Sequence, residues 1–295
     1  MYSQIRTSML DGICAMPVQV EVDISMGMPV FDMVGYLSPE VREAKERVRT
    51  ALHNCGILLP AKRITVNLSP ANIRKTGTGF DLPIAVALLV AMGLVKPEKC
   101  ADTIFSGELN LSGQLLPVRG ILPMVSDGVK EGIHKFVVPA DNLMESRLVQ
   151  GADVCGFPAL ESVIGYLQDG GYKEPAYAGR RQNRSHGAPD FSEVNGQQFL
   201  KRAAEIAASG MHNMLMVGPP GAGKTMISER MATILPPLTK KEQLEVSKIY
   251  SVCGLLADSR TLLQERPFRS PHHTISSSAL IGGGSVPRPG EVTLS

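Results

Sequence analysis

MLMVGPPGAGKT, residues 214–225, decides how the second half of this chain is read. Gly218, Pro219, Pro220, Gly221, Ala222, Gly223, Lys224 and Thr225 fit the spacing of a phosphate-binding loop, G-x-x-x-x-G-K-[ST]. Glycines let the backbone curl around a phosphate with its N–H groups turned inward, and a helix beginning at Lys224 adds its positive N-terminal end. Lys224 is placed to reach the β- and γ-phosphates of ATP, and the Thr225 hydroxyl to ligate Mg²⁺. From average residue frequencies the pattern arises by chance in roughly one chain in a hundred of this length. Its context is specific: an apolar run (MLMV, 214–217) that reads as a strand stands before it, and KTMISERMATIL (224–235) reads as a helix after it.

A loop that binds nucleotide does not hydrolyse it. Hydrolysis also needs an acidic pair at the tip of another strand and a charge-stabilising arginine. Residues 226–295 contain no run of four apolar residues followed by Asp-Glu. GLLAD (254–258) offers only Asp258, with Glu265 the next acid to consider, so no catalytic residue is assigned.

Upstream, VNGQQFLKRAAEIAASG (194–210) reads as a helix, giving the order helix, strand, loop, helix with which a parallel α/β domain opens. Between about 166 and 191 the composition turns to Gly, Pro and basic residues without an aliphatic run, the mark of a linker. Arg180, Arg181 and Arg184 lie within it. Residues 1–166 are different again. VQVEVDIS (18–25) and RITVNLSP (63–70) have strand character. SPEVREAKERVRTALHNCG (38–56) reads as an amphipathic helix opened by Ser38 and Pro39, and 81–93 as a buried helix. TIFSGELNLSGQLLPV (103–118) reads as strand, turn, strand, and GVKEGIHKFVVP (128–139) as a helix end running into a strand. The pattern is α+β.

The composition is that of an ordinary globular protein, with 43% hydrophobic and 20% charged residues and a net charge of +2. Whole-chain charge therefore does not announce nucleic acid. Five scattered cysteines without a Cys-x-x-Cys pair argue against zinc and disulfide frameworks, and for buried reduced thiols. The longest apolar stretch, 82–95, contains Pro83 and is too short to span a bilayer; the N-terminus has no signal-peptide core. No membrane association and a cytoplasmic location are expected.

RPFRSPHHTISSSALIGGGSVPRPGEVTLS (266–295), together with the phosphate loop and the opening stretch 12–52, resembles the ComM/YifB family of magnesium-chelatase-like AAA+ ATPases. In that family the segment resembling PGEVTLS runs on into the second acidic motif, so the resemblance implies the N-terminal part of a longer protein, with its AAA+ domain incomplete. It further implies ATP and Mg²⁺ as cofactors, a homo-hexamer, and an ATP-driven motor on DNA of the helicase or branch-migration kind used in natural transformation. The alternative is a chelatase-type remodeller of a protein complex, or a module that binds nucleotide without hydrolysing it. Arg266, Arg269, His272 and His273 are implied to shape a loop near the pore or the nucleotide. From the sequence itself, two adjacent histidines should point apart unless the backbone turns, and Gly282, Gly283 and Gly284 read as a hinge.

TGTGFDLPIAVALLVA (76–91) and GELNLSGQLLPVRGI (107–121) resemble the Lon-type proteolytic domain, of the ribosomal-S5-domain-2-like fold. Such peptidases use a Ser–Lys dyad. The serine should fall near Gly79, yet no Ser occurs from 70 to 105; the lysine should fall near Leu122, yet after Pro117 the first is Lys130. Thr76 and Thr78 offer hydroxyls without a base. The expected organisation is thus a Lon-like α+β domain over 1–166 that is not a peptidase, a basic linker over 167–190, and the first part of an α/β P-loop AAA+ domain over 191–295.

Overall fold

The computed structural model describes residues 1–175, 190–256, 260–284 and 287–295. Arg180, Arg181, Arg184 and Asp258 lie outside the described residues. The chain forms two compact units, one of Met1–Arg180 with Ser251–Leu255 and one of Arg181–Tyr250 with Leu256–Ser295.

The first unit is built on a long hairpin. β1 (Tyr2–Asp11) and β2 (Cys14–Ser25) pair antiparallel from Tyr2↔Asp23 to Asp11↔Cys14. β3 (Val30–Val34) follows, then α1 (Pro39–Arg42), α2 (Ala44–Asn54), β4 (Arg63–Ser69) and α3 (Asp81–Ala91). β5 (Thr103–Phe105), the small ladder β6 (Glu108–Leu109) and β7 (Leu115–Leu116), α4 (Ile121–Lys130), β8 (Lys135–Pro139), α5 (Leu143–Ser146), β9 (Asp153–Phe157) and α6 (Leu160–Asp169) complete it. Seven strands make one sheet in the order β3-β4-β2-β1-β5-β8-β9, antiparallel at β1–β2 and β2–β4 and parallel at every other pair.

Period-two alternation places the core. Val18, Val20, Val22 and Ile24 of β2 and Ile64, Val66 and Leu68 of β4 point inward and are buried, while Gln19, Glu21, Asp23 and Asn67 face the other way. After Asp81, α3 is apolar all round, so it has no wet face; all 11 of its residues are buried, against β1, β2 and α2. Each fully enclosed leucine or isoleucine there stabilises the fold by about 1.5–3 kcal/mol. The helix expected over 38–56 is two helices, α1 and α2, interrupted at Glu43; Ser38 precedes Pro39 in extended conformation but makes no side-chain cap bond. The thiols differ from the expectation of uniform burial: all five cysteines are free, but only Cys100 is buried and Cys14 is exposed.

The second unit is helical and thinly packed. A 3₁₀ turn (Phe191–Glu193) leads to α7 (Gln198–Gly210), α8 (Lys224–Met231), a further 3₁₀ turn (Ala232–Ile234), α9 (Lys240–Cys253), α10 (Ser277–Ile281), the two-residue strands β10 (Gly282–Gly283) and β11 (Arg288–Pro289), and α11 (Glu291–Leu294). Its core is Phe191, Val194, Ala204 and Ile227, with Met214, Met216, Met231 and Ile234 half-buried against them. The strand expected at 214–217 is not formed. No described strand pairs with it, so Leu215 and Val217, the alternate residues of the run, are each 89% exposed. The glycine run is no open hinge either: Gly282 and Gly283 pair antiparallel with Pro289 and Arg288, and a Cβ on Gly282 would come within 2.5 Å of the Arg288 carbonyl oxygen.

Among the described residues, no helix is long and apolar enough to cross a membrane.

Candidate functional site

The phosphate loop is assembled from two left-handed glycines and a helix start. Gly221 and Gly223 both have φ of +81°, a conformation in which a Cβ would be strained. Gly223 is the residue before α8, and no side chain caps that helix. The first N–H groups of α8 thus end on the loop without a side-chain acceptor. Residues 218–221 are exposed, as is Thr225; Ala222, Gly223 and Lys224 are half-buried. The Lys224 ammonium turns back over the loop and donates to the carbonyl oxygens of Gly218 and Pro219, each at 2.8 Å. Gly218 to Thr225 are therefore brought together as one turn around a cationic group and a helix N-terminus, an arrangement chemically suited to an anion.

Two contacts fix α8 in place. Ile227 is fully buried, and Arg230 reaches Glu193 with Nη2–Oε2 at 2.6 Å and Nε–Oε2 at 3.2 Å. The Phe191 N–H donates to Thr233 Oγ1 at 3.1 Å, so the 191–193 turn is tied to the helix that starts the loop. Sequence reading missed this tie because Glu193 and Arg230 are 37 residues apart and no local pattern links them.

The 266–275 segment has its own partners. Arg269 makes a two-pronged ion pair with Glu291 at 2.6 and 2.7 Å, which holds the Arg269 guanidinium pKa up and the Glu291 carboxyl below its ordinary range. Arg266 donates to the Pro236 carbonyl at 2.8 Å and lies 3.5 Å from Glu242. Phe268, Arg269, His272, Ile275 and Glu291 line a cavity of about 490 Å³. His272 and His273 do not point apart: the backbone turns, and their rings stack at 4.2 Å between centroids. The Thr274 N–H lies 3.3 Å from His272 Nδ1, and the Thr274 hydroxyl oxygen lies 2.7 Å from the same nitrogen. No group of three or more His, Cys, Asp or Glu able to hold a metal ion occurs among the described residues.

In the first unit, the positions expected of a peptidase dyad carry other chemistry. Leu122 is fully buried in α4. At Gly79 a Cβ would touch Ser106 Oγ at 3.0 Å, but that serine is buried and its bond goes to Met124 Sδ, 3.8 Å away. The Thr78 hydroxyl donates to the Glu108 carboxylate, not to an amine. Lys75, three residues earlier, is enclosed, with its ammonium donating to the carbonyls of Pro70 and Ile73; burial lowers its pKa. Beside them Asp81, fully buried, accepts two bonds from Arg47 at 2.7 and 2.9 Å and one from the Leu109 N–H at 3.0 Å. Burial pushes the Asp81 carboxyl up despite these donors, while the same pair raises Arg47.

Comparison with known proteins covers both units. Residues 190–295 match the family described as magnesium chelatase, subunit ChlI, and residues 20–142 match the family described as subunit ChlI of Mg-chelatase. The chain is 40% identical over 295 residues to the protein YifB of Escherichia coli, covering 99% of this chain and 57% of that protein. It is 38% identical over 300 residues to the competence protein ComM of Haemophilus influenzae, again 98% and 57%. Lon protease 1 of Sorangium cellulosum is 27% identical over 135 residues, 42% of this chain and 16% of that protease. The chain spans about half the length of the curated relatives it matches.

Proposed function

From its place in the ComM/YifB family of magnesium-chelatase-like AAA+ proteins, to which this chain belongs, we propose that it binds Mg·ATP at residues 218–225 and works, within a longer cytoplasmic protein, as part of a hexameric ATP-driven motor on DNA. The observation that carries the reading is the loop itself. Gly221 and Gly223 are held left-handed, the start of α8 has no side-chain cap, and Lys224 lies across the turn. These residues fit a nucleotide triphosphate. Backbone N–H groups of the loop and the helix start receive phosphate oxygens, Lys224 exchanges its two carbonyl bonds for phosphate, and the exposed Thr225 hydroxyl is available to Mg²⁺. Bound Mg²⁺ neutralises charge on the phosphates. No residue among those described takes the role of the acidic pair, so hydrolysis is assigned to the longer protein.

The DNA part of the proposal draws on the likeness to the competence protein. In the same reading the first unit is a Lon-like domain that has kept a fold and lost its nucleophile, and serves binding or assembly. Two measurements test the whole. Fluorescent ATP should bind the chain in the presence of Mg²⁺, and Lys224→Ala should lower its affinity at least a hundredfold with the circular dichroism unchanged; unaltered binding rejects the site. In the full-length protein, branched or single-stranded DNA should raise the ATPase rate. A rate indifferent to DNA removes the motor reading and leaves the chelatase-type remodeller.

A further inference from the structure

The two outer strands of the first unit's sheet are finished differently. β9 is covered by its own chain: the Gly156 N–H donates to the Tyr172 hydroxyl oxygen at 3.1 Å, and that hydroxyl lies 3.5 Å from the Gly156 carbonyl oxygen. The covering segment is pinned by Glu174, which accepts from Arg147 at 2.7 and 3.2 Å, and by packing of the Tyr172 ring against Phe157 at 5.3 Å. Tyr172 thereby meets the outward N–H and C=O of Gly156 on that edge.

β3 has no such cover among the described residues. It pairs with β4 alone, from Val30↔Arg63 to Val34↔Asn67. Phe31 and Met33 point into the core, and Val30, Asp32 and Val34 form the outward row. Val30 and Val34 are 40% and 49% exposed, and the flanking Met26, Met28 and Tyr36 are more open still. An exposed edge with apolar side chains is a template for one more strand.

We propose that the β3 edge receives an extended segment of a partner protein in which apolar residues at i and i+4 flank a Lys or Arg at i+2. The charge pattern selects this occupant. Asp32 stands between the two valines on the outward row, and the register aligns it with Thr65 and then Asp23 across the sheet, with Glu21 in the next row beyond. Arg63, 3.4 Å from Asp32, and the Met1 ammonium, 3.4 Å from Asp23, offset two of these three charges and leave the face negative. A strand whose residues on that face run apolar, basic, apolar at every second position sets its apolar side chains beside Val30 and Val34 and its cation beside Asp32. A second copy of this chain is the wrong occupant: antiparallel pairing centred on the strand puts Asp32 opposite Asp32, which destabilises it. Nucleic acid is disfavoured by the same acids, and acidic residues outnumber basic ones over residues 1–175.

The test uses the whole 295-residue chain and labelled ten-residue peptides, read by fluorescence anisotropy. A peptide of repeating Val-Ser-Lys-Ser, which sets valine and lysine in turn on one face, should bind, and the same peptide with glutamate in place of lysine should not. Methylating every second backbone amide of the binding peptide should abolish binding, because charge is kept and the strand hydrogen bonds are lost. Asp32→Lys should weaken binding about fivefold, as one favourable cross-strand pair is exchanged for a like-charge one; Val34→Lys, on an exposed side chain, provides a second variant should the first fail to fold. Equal binding of the methylated peptide, binding unaffected by either variant, or no binding of the valine–lysine peptide overturns the proposal. So does a dimer in sedimentation that valine–lysine peptide cannot dissociate, which would assign the edge to a second copy.

Discussion

The two units of this protein carry opposite relations between motif and core. In the first, seven strands and a wholly buried α3 enclose a large core, yet the positions where a dyad would sit are filled by Gly79 and the buried Leu122. In the second, a complete phosphate loop stands on a core of four buried residues, and the run leading into it leaves two large aliphatic side chains in water. The difference shows that a binding loop is a local object. Left-handed glycines and a helix start form it from nearby backbone, whereas burial of a strand requires other strands.

The largest effect expected from breaking this contrast lies at Asp81. Its carboxylate is enclosed with Arg47, and removing one partner strands the other charge; Asp81→Ala should cost about 3–5 kcal/mol in urea unfolding of the first unit. A cost under about 1 kcal/mol would mean water reaches the pair. Next is Leu88→Ala, which empties part of a fully buried helix and should cost about 2–5 kcal/mol. Its counterpart in the second unit, Leu215→Ser, should stay within about 0.5 kcal/mol, since that side chain is already in water. A large loss at Leu215 would show that the 214–217 run is buried in solution and that the contrast between the units is false.

What could be read from the sequence follows the same division. The turn at 218–225 and the helix that follows it were legible because their glycines and the helix start are contained in eight consecutive residues. β2, β4 and α3 were legible from alternation or uniform apolarity. β1 was not assigned: Tyr2, Gln4 and Arg6 on its outer row and Ser3 and Thr7 on its inner row blur the alternation. β3 was missed because five residues bear two exposed valines on the same row as an aspartate. At 214–217 local propensity pointed to a strand and pairing decided otherwise. The partners of Asp81, Thr78 and Glu193 come from residues 28 or more positions away, a distance at which a single sequence holds no pairing signal. Whether His272 and His273 diverge depended on a backbone turn that no local pattern announces, and here the chain turns.

The smallest expected effect sharpens the account of the second unit. Arg269 and Glu291 are joined by two short charge-assisted bonds near the protein surface, so solvent screens much of the Coulombic gain, and no measurable global destabilisation is expected from losing the pair. The local consequence is still testable. The bonds to Arg269 favour ionised Glu291 and lower its pKa from the ordinary 4.5. A carboxyl depressed in the folded state contributes its stabilisation above the unfolded value, and that contribution is lost as pH falls through the folded value. The pair should therefore persist at pH 5 and open only below 4.5. In ¹⁵N NMR the Arg269 Nε–H resonance should hold its position from pH 7 to 5 and move toward the free-arginine shift with a midpoint under 4.5. In Glu291→Gln it should sit near the free-arginine shift at every pH, since a neutral amide cannot hold the two-pronged ion pair. A midpoint at or above 4.5 would mean that Glu291 is not ion-paired in solution, and that α11 is held by Tyr250 of α9, whose hydroxyl donates to the Leu294 carbonyl at 2.9 Å, and not by Arg269.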